Sequence, residues 1–286
     1  MRLAVSNIAW PADQRDAAYA LLCERGISGL EIAPGLLLAG ASDPFEPSAR
    51  ELEEALAPVR AAGLQLVSMQ SLLFGVTGAA LFGTAAEREA LQRAMQRALA
   101  LAQRLGIPNL VFGSPRQRAI PVGLDRARAE AIAIDTFRGL GDAAVAADTR
   151  IAIEPNAATY GTNFLNRIEE AEAFVRLVDH PGIALNFDIG ALHNQGDFER
   201  IGPIAQAAAD CIAHVHFSEA GLTAAPADSK QAAQALLALE RTGYSGWYSI
   251  EMAAAPDALD ALADAIARLQ AAVAAVQSDR SPHASR

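Results

Sequence analysis

The sequence is poor in cysteine and in positive charge. Two cysteines, Cys23 and Cys211, occur in 286 residues, and they lack the CxxC spacing of a metal or redox motif, so a disulfide-stabilised secreted fold is not expected. We predict two structural free thiols, with Cys23 on a buried helix face. Lysine and arginine number 23 against 33 acidic residues, for a net charge of −10. A nucleic-acid partner, which needs a basic face, is therefore not expected.

Long apolar runs are also missing. No stretch of about eighteen apolar residues without charges occurs, so no membrane span is predicted. Residues 1–7 lack the apolar segment of a signal peptide, and we expect a cytoplasmic location. The chain is nevertheless 52% hydrophobic and only 20% charged. This composition indicates a large buried core rather than disorder.

Short β-type runs alternate with longer helical patterns along most of the chain. The helical stretches include residues 85–105, 125–147 and 169–178. Glycines 26, 63, 106 and 243 stand where helix C-caps need a left-handed residue. Eight such units predict an α/β fold, a single (β/α)8 TIM barrel over residues 1–276, with a doubly wound open sheet as the alternative. Residues 277–286, with His283, are expected to form a disordered tail. The predicted strands are residues 3–8, 29–33, 65–70, 109–113, 150–154, 183–188, 212–217 and 247–251.

Four of the predicted strands end in a residue that can bind a metal. The fifth to eighth strands carry Ile-Glu-Pro-Asn, Asn-Phe-Asp, His-Val-His and Ser-Ile-Glu. Side chains of a strand alternate between faces, and in each strand the neighbouring apolar residues take the opposite face. The polar set would then point into the barrel at the C-terminal rim, where barrel enzymes place their chemistry. The set consists of Glu154, Asp188, His216 and Glu251.

Three converging carboxylates without a lysine or arginine among them would repel one another. Burying such charges costs several kcal/mol each unless a positive group compensates. A divalent cation does so most directly. Oxygen ligands with one imidazole suit Mn²⁺ or Co²⁺, and Mg²⁺ or Zn²⁺ also fit. Isolated residues of these types are usually solvated loop or core groups, but four at consecutive strand ends favour a metal site. His214, of the same parity, is interpreted as a core histidine.

The same motifs resemble the xylose isomerase-like barrel superfamily. The pattern E-P-N, F-D-x-G, H-x-H and S-I-E, within a resemblance that covers about residues 2–276, is most similar to its sugar phosphate isomerase/epimerase branch. The resemblance implies that Glu154, Asp188, His216 and Glu251 are the metal ligands. It further implies that Glu154 and Glu251 are the catalytic pair, which moves a proton beside a carbonyl while the metal stabilises an enediolate.

Residues near the same rim are predicted to contact a small carbohydrate-like substrate. The sequence differs from the pattern of the ketose 3-epimerases at several positions. Ala191 stands where many relatives have a histidine, so that His193 follows the sixth-strand aspartate by five residues, and Tyr160 replaces a glutamate. A free ketohexose 3-epimerase is therefore not expected. The predicted substrate-binding residues are Trp10, Glu31, Gln70, Asn156, His193 and Glu219.

The predicted function is a metal-dependent isomerase or epimerase of a sugar, keto-polyol or related hydroxy-carbonyl compound. A lyase or dehydratase of the same fold is the main alternative, because the same proton abstraction can lead to β-elimination. An abasic-site endonuclease shares the barrel but uses more histidine ligands than this acidic chain offers. A non-catalytic scaffold is disfavoured by the complete ligand set. Apolar helix faces could support a homodimer.

Overall fold

The computed structural model describes residues 1–280, with side chains described to residue 278. Eight parallel strands form a closed barrel in sequence order, with the last strand hydrogen-bonded to the first. The predicted single (β/α)8 barrel is confirmed, and the open sheet is wrong. The strands are β1 (Arg2–Ser6), β2 (Gly29–Ile32), β3 (Gln65–Met69), β4 (Leu110–Phe112), β5 (Ile151–Ile153), β6 (Ile183–Asp188), β7 (Ile212–Phe217) and β8 (Trp247–Ile250).

Ten α-helices lie among the described residues, and most of them surround the barrel. Short 3₁₀ turns supplement them in the loops, including one at Asn7–Ala9 that ends the first strand two residues earlier than predicted. The helices are α1 (Arg15–Glu24), α2 (Pro34–Leu37), α3 (Ala49–Ala61), α4 (Ala85–Leu105), α5 (Arg126–Ala146), α6 (Ile168–Val178), α7 (Ile189–Gln195), α8 (Ile201–Ala208), α9 (Ser229–Arg241) and α10 (Ala258–Arg280).

Local sequence signals determine where the long helices begin and end. Thr84 and Glu87 form a reciprocal capping box at the start of α4, which satisfies amide groups that have no partner inside the helix. The same helix ends at Gly106, whose φ of 64° is the left-handed conformation that glycine adopts without a steric penalty. All four glycines predicted to end helices have positive φ. Helices α4, α5 and α6 lie within one residue of the predicted helical stretches, which confirms those predictions.

The two faces of the strands differ in character. Large apolar side chains such as Leu30, Phe112 and Phe187 belong to the continuous core that packs the barrel against its helices. Polar groups are buried in the strands as well: Ser68, Asn186 and Ser249 are each fully buried. Because buried polar groups require partners, this interior forms a hydrogen-bonded network below the rim rather than an apolar plug.

Register brings the ends of neighbouring strands to one level. Asp188 on β6 lies beside His216 on β7, after a shift in pairing between Leu185 and Asn186. His216 in turn lies beside Ser249 on β8. Glu251 follows β8 directly, and its amide donates to the Phe217 carbonyl. The C-terminal rim of the barrel therefore carries the predicted ligands.

Other expectations have mixed outcomes. Cys23 is exposed on α1 rather than buried, so that interpretation is wrong, because the buried face of this helix is formed by Ala18, Tyr19 and Leu22. Both cysteines are free. Helix α10 continues to Arg280, past the predicted boundary at residue 276. Residues 281–286, with His283, lie outside the described residues. Among the described residues, no helix has the length and apolar character needed to span a membrane.

Candidate metal and substrate site

A cavity of about 140 Å³ opens at the C-terminal rim of the barrel. Loops that follow β4 to β8 form its wall. Within the described part of the chain, its lining contains four carboxylates and no lysine, arginine or histidine. The lining is strongly anionic, and it includes Glu154, Asp188, Glu219 and Glu251.

His216 lies beneath this cavity and is completely buried. Its Nε2 lies 3.0 Å from Oε2 of Glu31, within hydrogen-bond geometry. Burial alone would lower the pKa of His216, but Glu31 and Glu251 raise that pKa well above its usual value. Glu31 is also fully buried, and His214 approaches the same Oε2 at 3.2 Å. Burial would raise the pKa of Glu31, but the two histidines lower it well below its usual value.

The other ring nitrogen of His216 faces two carboxylates. Its Nδ1 lies 2.9 Å from Oε1 of Glu154 and 3.2 Å from Oε2 of Glu251. It makes no hydrogen bond to either, although it is buried. Ligand atoms of these three residues lie within 4.8 Å of one another. Because Glu31 accepts from Nε2, the neutral form of the imidazole carries its proton on that nitrogen. In that form the Nδ1 lone pair is directed at the space that the two carboxylates share.

Glu154 is held by two side-chain amides. It follows β5, and Asn186 on β6 donates to its Oε1 at 2.8 Å, while Asn156 donates to its Oε2 at 3.0 Å. Burial raises the pKa of Glu154, but His216 and Asn156 outweigh burial and the pKa is lowered. Gly113 at the end of β4 leaves room for this carboxylate, since a Cβ there would lie 2.6 Å from Oε2. The two amides and the space at Gly113 therefore fix the position of the Glu154 carboxylate.

Asp188 ends β6 and caps the following helix. The amides of Gly190 and Ala191 donate to its two oxygens at 3.0 and 3.1 Å, and the hydroxyl of Ser218 donates to Oδ1 at 2.6 Å. Burial, followed by the negative charges of Glu154 and Glu251, raises the pKa of Asp188 to about 8. Without a compensating cation, burial and the two neighbouring acids therefore favour the protonated form of this carboxyl.

Glu251 has fewer hydrogen bonds than the other two acids. Its contact with His216 is its only polar contact among those resolved for the described side chains. Burial raises the pKa of Glu251, His216 opposes the rise, and Glu154 adds to it, so that the pKa is raised overall. The two glutamates are thus inequivalent, with Glu154 anchored as an anion and Glu251 able to take up a proton.

The donor set fits a divalent cation. An unpartnered buried imidazole nitrogen, two glutamate oxygens close to it and an aspartate on the same cavity wall are ligands of the type that Mn²⁺, Co²⁺ or Zn²⁺ accept. Burial is the largest cause of the raised pKa values of Asp188 and Glu251, and repulsion from the neighbouring carboxylates adds to it. A cation among them would remove this repulsion.

The predicted substrate contacts separate into two groups. Asn156 and Glu219 line the cavity. Glu31, Gln70 and Trp10 do not line it and are buried. Gln70 donates to Glu31 and to Ser6, which places these polar side chains in a network that supports His216.

His193, in the last turn of α7, is also absent from the cavity wall. Its ring stacks on Phe198 with centroids 4.5 Å apart. Two other residues of the same helix, Ala191 and Asn194, do line the cavity. Tyr160 lines the cavity too, and its hydroxyl accepts a hydrogen bond from the amide of Gly221 across the rim.

Sequence reasoning missed Asn186 and Arg118. Asn186 shares strand parity with Asp188 one layer down, the same signal that singled out His214, so the pattern could have identified it. Arg118 lies in a loop after β4, and no periodic signal marks it. Its contact with Asn156 forms only when separate loops meet in the folded chain.

Solved structures with the same fold include enzymes that act on sugars. The Escherichia coli 3-keto-D-glucoside 4-epimerase is 17% identical, with a TM-score of 0.76, over 94% of this chain and 99% of that one. An L-ribulose 3-epimerase is 16% identical, with a TM-score of 0.77, over 99% of both chains. An AP endonuclease, family 2, from Brucella melitensis is 20% identical, with a TM-score of 0.70, over 92% and 97%. At these identities the likeness establishes the fold.

Comparison of the sequence with protein-family models identifies the family. A search of curated proteins finds no match to this chain. The model of the xylose isomerase-like TIM barrel family matches residues 19–272. This range includes strands β2 to β8 and all four predicted ligands. The chain belongs to the xylose isomerase-like TIM barrel family.

Proposed function

We propose that this protein is a divalent-metal-dependent isomerase or epimerase of an uncharged sugar, keto-polyol or related hydroxy-carbonyl compound. One observation carries the proposal: the buried Nδ1 of His216 has no hydrogen bond and faces oxygens of Glu154 and Glu251. We include Asp188 as the fourth ligand because it lines the same cavity wall. Mn²⁺ or Co²⁺ suits these ligands best, and bound there it would polarise the substrate carbonyl and stabilise negative charge.

The chain's own residues supply the proton chemistry. Glu154 and Glu251 both line the cavity, and they directly follow strands β5 and β8, which are not neighbours in the barrel. They can therefore approach a bound substrate from different sides, as one proton is removed and another delivered. The two amides that hold Glu154 keep its carboxylate in place. Glu251, without such donors, is free to exchange a proton with the substrate carbon.

The charge of the cavity favours a substrate without phosphate. Four carboxylates line it, and no cationic side chain among the described residues does so. A divalent cation would offset only half of that charge. A phosphoryl group, which proteins normally bind through arginine, lysine or backbone amides, would meet repulsion. The same lining disfavours a nucleic-acid substrate, although one structural neighbour is an AP endonuclease.

Solvent deuterium incorporation tests the proposal. Protein loaded with Mn²⁺ or Co²⁺ is incubated in D₂O with a panel of ketoses, aldoses, keto-glycosides and keto-polyols. We expect one carbon-bound deuterium at an α-carbon of at least one compound, with no loss of water or of an aglycone. Loss of water or of an aglycone would favour the lyase alternative, and absence of exchange from every compound would exclude the proposal.

Substitution of Glu251 provides the specific control. Glu251→Gln keeps an oxygen ligand but cannot accept a proton, so we expect the exchange rate to fall by about 10²-fold or more. The exposed Glu24 on α1 offers a matched variant, Glu24→Gln, which should exchange at the wild-type rate. Equal rates in the two variants would contradict the assigned role of Glu251.

A further inference from the structure

Arg118 is a completely buried cation close to the metal-binding residues. It ends the 3₁₀ turn Pro115–Arg118 after β4. Its Nη2 donates to Oδ1 of Asn156 at 3.0 Å and to the carbonyl of Leu165 at 3.3 Å. Its Nε and Nη1 have no hydrogen-bond partner among the described residues. Burying a guanidinium so incompletely paired costs several kcal/mol, which a purely structural loop contact would not require.

Asn156 connects this cation to Glu154. Its Oδ1 accepts from Arg118, and its Nδ2 donates to Oε2 of Glu154 at 3.0 Å. A guanidinium has only donors and an ionised carboxylate only acceptors. The Asn156 amide between them therefore has one allowed orientation, because the reverse would place two donors and two acceptors against each other.

The backbone of Asn156 has two hydrogen bonds that do not use its side chain. Its amide donates to the carbonyl of Leu165, which also accepts from Arg118, and its carbonyl accepts from Asn166 Nδ2 at 2.9 Å. Loss of the Arg118 side chain would leave the donors and acceptors of both backbone hydrogen bonds present but remove the constraint on the Asn156 side-chain amide. A rotated amide would direct its oxygen toward Glu154 and repel the carboxylate.

We propose that Arg118 is a positioning residue, which acts through Asn156 to hold the Glu154 carboxylate in the orientation that binds a divalent cation. This inference rests on the proposed function. Asn156 and Asn186 each occupy one oxygen of Glu154. Arg118 itself does not line the cavity.

A double-mutant cycle on the full chain tests the connection. Mn²⁺ dissociation constants are measured by titration calorimetry for the wild type, Arg118→Met, Asn156→Ala and the double variant. Partners of a metal ligand typically change metal affinity by about 10- to 100-fold. We expect each single variant to weaken binding by about tenfold, and the double variant to bind within about twofold of Asn156→Ala.

The exposed Arg116 in the same turn provides the matched control, and Arg116→Met should bind Mn²⁺ like the wild type. If Arg118→Met does not fold, Arg118→Gln enters the same cycle, because a glutamine amide can present either end to Asn156 and removes the constraint. Wild-type affinity in the Arg118 variant would overturn the inference. So would a tenfold loss caused by that variant in the Asn156→Ala background.

A second measurement separates this inference from the proposed function. Absence of divalent-cation binding by the wild type would overturn the proposed function. In metal-free protein, hydrogen exchange of the Asn156 side-chain amide, followed by ¹⁵N NMR, still reports on the contact. We expect the Nδ2 protons to exchange at least about tenfold faster in Arg118→Met, with Asn186 unchanged. Equal protection in both proteins would overturn the role of Arg118.

Discussion

Glu31 provides the sharpest test of the proposal that His216 is a metal ligand whose orientation depends on its neighbours. The substitution is Glu31→Gln, at a completely buried position on β2. The native carboxylate accepts from His216 Nε2, and this contact requires the proton to lie on Nε2. Glutamine can present its NH₂ group to the ring instead. In the neutral ring that a metal ion requires, the proton would then lie on Nδ1, the nitrogen that faces Glu154 and Glu251.

The size of the effect follows from that hydrogen bond. A hydrogen bond to a charged group contributes about 1.5–3 kcal/mol. Partners of a metal-binding histidine typically change metal affinity by about 10- to 100-fold. At about 1.4 kcal/mol per factor of ten, that range corresponds to about 1.4–2.8 kcal/mol. The two ranges agree, so we expect Glu31→Gln to weaken Mn²⁺ binding by about 10- to 100-fold.

Titration calorimetry at pH 8 measures this loss directly. Glu24→Gln makes the same chemical change on the exposed surface of α1 and should leave the dissociation constant unchanged. Thermal unfolding of the metal-free proteins checks that Glu31→Gln remains folded. A folded variant that binds Mn²⁺ as tightly as the wild type would refute the reasoning, because the orientation of His216 would then not depend on Glu31.

Two further predictions concern protonation. Burial and the neighbouring acids raise the pKa of Asp188 to about 8 in the metal-free protein, so Mn²⁺ must displace a proton below that pH, and its affinity should rise as pH increases toward 8. Calorimetry at pH 6.5 in two buffers of different ionisation enthalpy should detect release of about one proton or more; identical enthalpies would contradict this. Burial raises the pKa of Cys211 to about 11, whereas Cys23 is exposed. A disulfide reagent at pH 8 should modify Cys23 at least about tenfold faster. Cys23→Ser should abolish the fast phase, and equal rates for the two thiols would contradict the prediction.

The fold could be predicted because its signals are local. Strand β6 and helix α4 have the predicted bounds, since alternating runs, a capping box and a terminal glycine each act over a few residues. Strand parity likewise indicated that Glu154 and Glu251 would point into the same space, and both line the cavity. The alternation of side chains is a property of each single strand, so it can be predicted without knowing which strands are its neighbours.

The roles of individual polar residues depended on contacts between distant segments. Glu31 and His216 are 185 residues apart, and their hydrogen bond exists only because the barrel closes. Glu31 was therefore predicted as a substrate contact, although its position favours support of the histidine. His193 followed the aspartate closely in sequence, but the turn of α7 places it against Phe198 instead of in the cavity wall.

The sequence by itself determined the succession of strands and helices along the chain, the inward-facing side chains of the strands and the four residues that we propose as ligands. Hydrophobic alternation and helix caps carry that information in short windows. Only the tertiary structure decided which hydrogen-bond partners these residues have, because register and loop packing set distances between segments that the sequence leaves independent. Glu154, with an amide on each oxygen, and Glu251, with none, occupy equivalent strand ends. Their difference arises from neighbours on β6 and in the loop after β5, which the closed barrel brings together.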